Sequence, residues 1–447
     1  MTAVSGFDSQ HPPAQAVIDT CVHCGFCLTT CPSYRTLGTE MDSPRGRIYQ
    51  MDAINQGEIG LNATTVSHFD SCLGCLACVT ACPSGVRYDE LIGATRAQIQ
   101  RNYRRPWPET LVRGLMFQLL PYPERLRLLA PSLWLYQTLG LPRWLPPLLR
   151  RISPTLGAMS GLLPPLRFSQ LLPRLWPEVL PAPGERRYRV GVILGCVQRL
   201  FNPAVNAATV RVLRAVGCEV IIPPQQGCCA ALPQHQGEIT QAQTLARWLI
   251  DSFRHYELDA IVINASGCGH TLKEYGQILA DDPEYRQIAQ DFSRKVKDVQ
   301  EFLAAIELNV PLYPLATEPL TVVYQDACHL IHGQKISLQP RQLLRRIPGL
   351  ELREPLDAAL CCGSAGVYNF LQPDTAAELG RQKVSHLLNT GAQVIASANI
   401  GCSIQIQHYL REQGASVPVY HPVQLLDRAI RRLPLENIGH PLQLNLL

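Results

Sequence analysis

Two runs of the pattern C-x2-C-x2-C-x3-C-P carry the clearest chemistry in this chain of 447 residues. The first is Cys21, Cys24, Cys27 and Cys31-Pro32; the second is Cys72, Cys75, Cys78 and Cys82-Pro83. Thiolates are soft ligands that suit iron–sulfur clusters. Two-residue gaps let one tight loop offer three sulfurs to a cubane, and the fourth Cys of each run ligates the other cluster in two-cluster chains. The spacing therefore predicts one [4Fe-4S] cluster on Cys21, Cys24, Cys27 and Cys82, and a second on Cys72, Cys75, Cys78 and Cys31. Structural zinc uses cysteine pairs rather than evenly spaced triplets and is the weaker reading. His23 lies inside the first loop. With four cysteines at hand, it is expected to hydrogen-bond near the cluster rather than to ligate it.

Eight further cysteines repeat a lone Cys, a doublet and a lone Cys: Cys196, Cys228-Cys229, Cys268, then Cys328, Cys361-Cys362, Cys402. Corresponding positions lie 132, 133, 133 and 134 residues apart. YRVGVILGC196 parallels LTVVYQDAC328, and DAIVINASGC268 parallels AQVIASANIGC402. An offset this long marks a duplicated domain rather than a solenoid. The seventeenth cysteine, Cys218, precedes the run EVII and is read as a small buried hydrophobe.

The elements that must position these groups follow from periodicity. Between the two head motifs, Ser43 can cap and Pro44 can open a helix with Ile48, Met51 and Ile54 on one stripe, closed at Gly57. In the repeats, RVGVIL, EVII, DAIVIN, LTVVY and AQVIAS read as buried parallel strands. A helix capped by Asn202 begins at Pro203, buries Val205, Thr209, Val212 and Val216, and closes at Gly217. A later one runs from Pro373 to about Gly391. Such alternation argues for α/β layers, whose ligand crevice lies outside the carboxyl ends of the strands. The four lone cysteines each follow a strand and the doublets sit in loops, so all eight are expected on one edge of the fold. The glycines after Cys362 can bring backbone N–H groups close to thiolates or a cluster; a plain turn would read the same way.

Between these parts the composition changes. Fifteen of the 36 prolines fall between Pro106 and Pro183, and twelve arginines between Arg104 and Arg187, with Leu and Trp interleaved. The prolines are expected to break this stretch into short helices. Two readings stand: a basic amphipathic surface for an anionic membrane, or a helical connector with its arginines on a partner or in solvent. A net charge of +4 gives no sign of nucleic-acid binding. No secretory signal or apolar run of about 18 residues is visible. So many thiols fit a reducing, cytoplasmic location, with peripheral contact on the inner face of the plasma membrane under the first reading.

These motifs resemble the iron–sulfur subunits of glycolate oxidase, within a wider group that shares cysteine-rich CCG domains and includes a heterodisulfide reductase subunit. The carriers are both ferredoxin motifs, DSPRGRIY (Asp42 to Tyr49), NASGCGHTLKEYG (Asn264 to Gly276), DACHL (Asp326 to Leu330), CCGSAGVYN (Cys361 to Asn369) and ANIGC (Ala398 to Cys402). The resemblance implies an α+β multidomain chain: a helical two-cluster head (1–100), a connector (101–187) and two CCG-type α/β repeats (188–310 and 318–432). It implies a subunit of an enzyme oxidising glycolate to glyoxylate, with FAD on a partner subunit and electrons passed to quinone or another carrier. The alternatives are a D-lactate or glycerol-3-phosphate dehydrogenase subunit, or a thiol/disulfide reductase of the heterodisulfide reductase kind. That last pattern ends each repeat in C-x-x-C, but here Ala265 and Asn399 take the first position. The repeat cysteines therefore hold a further cluster or act as redox thiols. His270, His329 and His332 near them tune a cluster, relay protons or hydrogen-bond backbone.

Overall fold

The computed structural model describes residues 6–172 and 174–435. The head is built from short helices, the longest being Pro44–Asn55 and Tyr88–Asn102. Ser43 Oγ accepts from Gly46 N at 3.0 Å and starts the first of these. Its Ile48, Met51 and Ile54 enter a core with Val17, Phe69, Leu91 and Ile99, as the stripe requires.

In the connector the prolines open helices more often than they break them. They occupy the first turn of Trp107–Leu119, Pro123–Thr138, Leu145–Ile152 and Pro154–Leu162. The missing N–H costs nothing there. Pro131 lies inside the 16-residue helix Pro123–Thr138, longer than the expected fragments. Two of its arginines are bound within the chain. Arg105 grips Asp70 of the head through two bonds of 2.6 and 2.9 Å, and Arg113 holds Glu109 at 2.8 Å. These cations are tied into the chain rather than presented to a partner. Large apolar side chains are nevertheless exposed along the connector, including Trp107, Leu111 and Leu115 at i, i+4 and i+8 of one helix.

The strands are β1 (Val179–Leu180), β2 (Tyr188–Ile193), β3 (Cys218–Ile221), β4 (Ala260–Ile263), β5 (Val296–Asp298), β6 (Leu320–Gln325), β7 (Leu350–Arg353), β8 (Val394–Ser397) and β9 (Val419–Tyr420). They form two sheets, ordered β1-β3-β2-β4-β5 and β7-β6-β8-β9. Every pairing is parallel except β1 with β3, so the connector lends the first sheet an antiparallel edge. Val190 faces Val220 and Ala260; Val322 faces Leu352 and Val394, the same register in both repeats. Each sheet reverses its winding between its first and third repeat strands, β2/β4 and β6/β8. Such a switch point is where α/β sheets bind ligands.

The two repeats share one apolar core, with Val190, Val210 and Leu213 from the first and Val322, Leu343 and Val423 from the second. Helix Pro203–Ala215 packs on Pro422–Arg431, and Val299–Ala305 on Leu338–Arg345. Arg211 crosses that seam to Asp427 with bonds of 2.8 and 2.6 Å. Asn202 stands at the start of Pro203–Ala215, but its side chain makes no capping bond. Pro203 has already removed one of the donors it would serve. Cys218 is fully buried at the start of β3, and burial pushes its thiol up to about 12, the state of an inert hydrophobe.

Candidate iron–sulfur sites

In the first head loop, His23 and Gly25 take left-handed backbone conformations with φ of +51° and +86°. They turn Cys21, Cys24 and Cys27 toward one point. A Cβ on Gly25 would lie 2.8 Å from Arg45 Nη1, which donates to His23 O at 2.8 Å. A side chain there would strain the turn and displace its clamp. Cys82 ends helix Ala77–Ala81 and completes the lining of a cavity of about 420 Å³, with Cys78, Ile48 and Tyr88 also on its wall. The second loop repeats the device with Gly74 and Leu76 at φ +63° and +62°. Cys72, Cys75 and Cys78 meet Cys31 around a cavity of about 300 Å³. Each set of four predicted from spacing thus stands round one cavity, and a ring of soft thiol donors fits an iron–sulfur cluster. Among the described residues no group of three or more His, Cys, Asp or Glu is arranged for a single metal ion.

The two cavities differ in surroundings. Cys24, Val22 and Phe26 are exposed, which puts the first at the surface. Around the second, Cys31, Cys72, Cys75 and Cys78 are all buried. Arg47, wholly buried, donates to His68 O (2.6 Å), Ser71 Oγ (2.7 Å) and Ser33 Oγ (3.1 Å). Arg96 donates to Cys72 O. Burial alone would push the Cys72 thiol up, but the charges of Arg47 and Arg96 outweigh it and hold the thiol below its usual range. Sulfur also receives hydrogen bonds: Gly74 N to Cys72 Sγ at 3.4 Å and Val86 N to Cys82 Sγ at 3.5 Å. Such donors favour the anionic form.

The repeats gather their eight cysteines into two quartets. Cys196 and Cys328 lie just beyond β2 and β6. Cys268 and Cys402 fall not directly after a strand but in the first turn of the next helix, Ser266–Lys273 and Ile400–Glu412. The doublets occupy the loops after β3 and β7. In the first quartet the Cys228 thiol donates to Cys196 Sγ at 3.5 Å, and Cys229 and Cys268 stand next in the group, each acting on its neighbour's thiol. In the second, Cys328, Cys361, Cys362 and Cys402 lie close enough to act on one another's thiols in the same order. Backbone N–H groups of Gly363 and Ser364 aim at the second doublet and that of Ala230 at the first, so the motif does not depend on its glycines for these donors. Gly363 is needed for space: a Cβ would lie 2.6 Å from Ala376 O. Asn399 donates to Cys402 Sγ at 3.5 Å and accepts from Gly267 N at 3.4 Å, joining the quartets across the repeat seam.

The second head site is seated on the second quartet. Leu73, Cys75 and Ala77 pack with Cys361, Tyr368 and Leu379. Tyr368 Oη donates to Ser71 O at 3.1 Å, and His329 Nε2 to Gly74 O at 2.9 Å. His332 bonds Thr80 Oγ1 at 2.9 Å and Ala359 O at 3.4 Å. His329 and His332 therefore hold backbone at the joint between head and repeat. Sequence reading passed over His235, whose ring lies 4.8 Å from that of His329, with His270 4.9 Å from His329. Burial, with repulsion from neighbouring histidines, lowers all three below the ordinary imidazole range, His270 to about 3. His235 follows a doublet by six residues, and only the fold brings it to the others.

Comparison with known proteins agrees with this arrangement. Residues 17–86 match a family described as a 4Fe-4S dicluster domain, and residues 190–273 and 322–407 match a cysteine-rich domain. Residues 108–163 match the linker region of the glycolate oxidase iron–sulfur subunit. A probable glycolate oxidase iron–sulfur subunit of Bacillus subtilis is 37% identical over 94% of both chains. The glycolate oxidase iron–sulfur subunit of Escherichia coli is 34% identical over 94% of this chain and 96% of its own. The chain belongs to the glycolate oxidase iron–sulfur subunits. It is an electron-transfer subunit of an oxidoreductase, with a ferredoxin-type helical head followed by two cysteine-rich α/β domains. A hypothetical protein from Helicobacter pylori of known crystal structure shares the fold, with a TM-score of 0.56, 8% identity, and coverage of 90% of this chain and 71% of its own. No helix among the described residues is long and apolar enough to cross a membrane.

Proposed function

We propose that this subunit takes electrons from a flavin-containing partner that oxidises glycolate to glyoxylate and delivers them to quinone or another carrier. Residues 1–100, 101–187, 188–310 and 318–432 are its working units. Cys21, Cys24, Cys27 and Cys82 hold one [4Fe-4S] cluster, and Cys31, Cys72, Cys75 and Cys78 the other. Bound there, the clusters supply one-electron transfer at potentials the surrounding dipoles and charges set. The observation that carries the reading is the placing of the two cavities. One opens at the surface, where a partner's FAD can approach Cys24; the other is sealed between the head and the second quartet. Arg47 and Arg96 stabilise negative charge on the sealed side. The quartets extend the series as further iron–sulfur sites, since each converges at a sheet's switch point and touches the next through Asn399 or Cys75.

The exposed apolar residues of the connector, with the basic residues around them, favour a peripheral seat on the inner face of the cytoplasmic membrane, where a quinone is reached. Glycolate-dependent dye reduction by the chain co-expressed with its flavin partner tests the relay. The Cys75→Ser variant is expected to lose it by at least about 100-fold, the lower end of the range for removing a positioned catalytic group, with its iron content lowered. Undiminished reduction would refute the relay.

A further inference from the structure

Each quartet lies beside a cation, half-buried at the first and fully buried at the second, that has no place in the functions assigned so far. Lys383, on helix Pro373–Leu388, is 0% exposed. Its ammonium donates to the carbonyls of Ala358 (2.6 Å) and Asp357 (3.4 Å), in the loop leading to the second doublet. Of the carboxylates that bear on it, Asp326 is already gripped by Arg341 at 2.9 and 2.7 Å, and Asp357 is paired with Arg35 at 2.8 Å. Cys361, Cys362 and Cys402 are the other groups whose negative charge would favour it.

Arg199 stands beside the first quartet, three residues past Cys196. One amino group donates to Gln226 O at 2.7 Å, while its Nε is shielded from solvent without a hydrogen-bond partner. Cys196 and Cys228 favour its charge; of the connector residues facing it, Glu124 does so and Arg127 opposes. A buried charge is costly unless it is paired.

The duplication sharpens the point. Three residues past Cys328 stands Ile331, not an arginine. Twenty-one residues past Cys362 stands Lys383, and twenty-one past Cys229 stands Ile250. The cations therefore come from different helices at non-equivalent positions, yet each repeat has one. Copying alone does not produce this; a shared electrostatic demand does.

We infer that Arg199 and Lys383 are charge-compensating residues, one for each quartet, and that each quartet holds a net-anionic iron–sulfur group. The inference rests on reading the quartets as iron–sulfur sites. A positive charge beside such a group stabilises its reduced, more negative state and raises its potential.

The test uses the full chain purified anaerobically as wild type, Lys383→Met, Lys383→Arg and Arg199→Met, with iron counting and an EPR-monitored redox titration. The reduction steps of the head clusters serve as the control for folding. Lys383→Met and Arg199→Met are each expected to move one step, a different one in each, to more negative potential. The expected loss of electron affinity is about tenfold, about 59 mV for one electron. Lys383→Arg is expected to keep the wild-type step. Wild-type iron of only about eight atoms, two cubanes' worth, would overturn the reading of the quartets and the inference with it. More iron but no shift in either Met variant would overturn the inference alone. An equal shift in Lys383→Arg and Lys383→Met would assign the effect to packing rather than charge, and also overturn it.

Discussion

The head and the repeats carry eight cysteines each and house them in opposite ways. In the head the sulfurs stand apart round cavities of about 420 and 300 Å³. In the repeats they touch, as Cys228 and Cys196 do at 3.5 Å. The head's cysteines are also part of its core: Cys72 and Cys78 are core members, with Cys21, Cys27 and Cys82 packed against them. Its helices are short and it has no strand among the described residues. The quartets are buried too, but in side clusters at the carboxyl ends of two sheets, Cys228 and Cys229 in one and Cys362 and Cys402 in another, while the core the repeats share, around Val192, Val322 and Val394, contains none of the eight. The head has only short helices and its ligand loops to fold around; the repeats seat their cysteines on sheets that an apolar core already holds together.

The largest test of this contrast is to remove the metal. Anaerobic chelation is expected to strip hydrogen-exchange protection from helices Pro44–Asn55 and Tyr88–Asn102, since metal-binding energy in so small a unit is folding energy. Strands β2, β4, β6 and β8 are expected to stay protected, their core being apolar. Equal loss in both regions would erase the distinction.

How much of this was legible in the sequence depends on range. The ligand spacing, the fixed offset near 133 and the strand runs are local or periodic, and they placed all sixteen cysteines in four groups of four. The charges around them were not legible. Arg96 reaches Cys72 from 24 residues away, and Lys383 reaches the loop at Ala358 from 25. Neither separation is a helical or strand period, so only the packed fold brings them together. The two-residue strand β1 was missed for a similar reason: Val179–Leu180 has no alternation to read and is a strand only because β3 offers it an edge. In the connector, proline reads equally as breaker and as first-turn residue, and the second role prevailed.

A smaller test compares one arginine from each region. Arg47 is sealed in the head, with Asp42 Oδ1 3.6 Å away. Arg47→Met leaves the His68 carbonyl and two hydroxyls without that donor and Asp42 without its buried countercharge, and is expected to cost about 3–5 kcal/mol, as for breaking a buried pair. Arg211, at the seam of the repeats, keeps 36% of its side chain in solvent. Arg211→Met is expected to cost about 1 kcal/mol, because water replaces much of what is lost. Denaturant unfolding of the two variants measures the difference. A larger loss for Arg211 would mean that the repeat seam, not the head, is the polar keystone.

The smallest test lies where the two regions meet. Glu274, four residues past His270 and 3.3 Å from its Nε2, faces Asp89 and Glu90 of the head. Burial, reinforced by those two carboxylates, raises its carboxyl to about 8. Unfolded, it titrates near about 4.3. Between these values the folded chain keeps a proton that the unfolded chain has lost, so this group's contribution to stability falls as pH rises from about 4.3 to about 8, and then levels off. Glu274→Gln removes that slope. The variant is expected to match the wild type at pH 5 and to exceed it by about 1 kcal/mol above pH 8, a figure kept low because the side chain retains some contact with water. Denaturant midpoints at the two pH values check this. Parallel pH profiles for variant and wild type would show that the seam relaxes to hydrate Glu274, and that the head rests on the repeats less tightly than their packing implies.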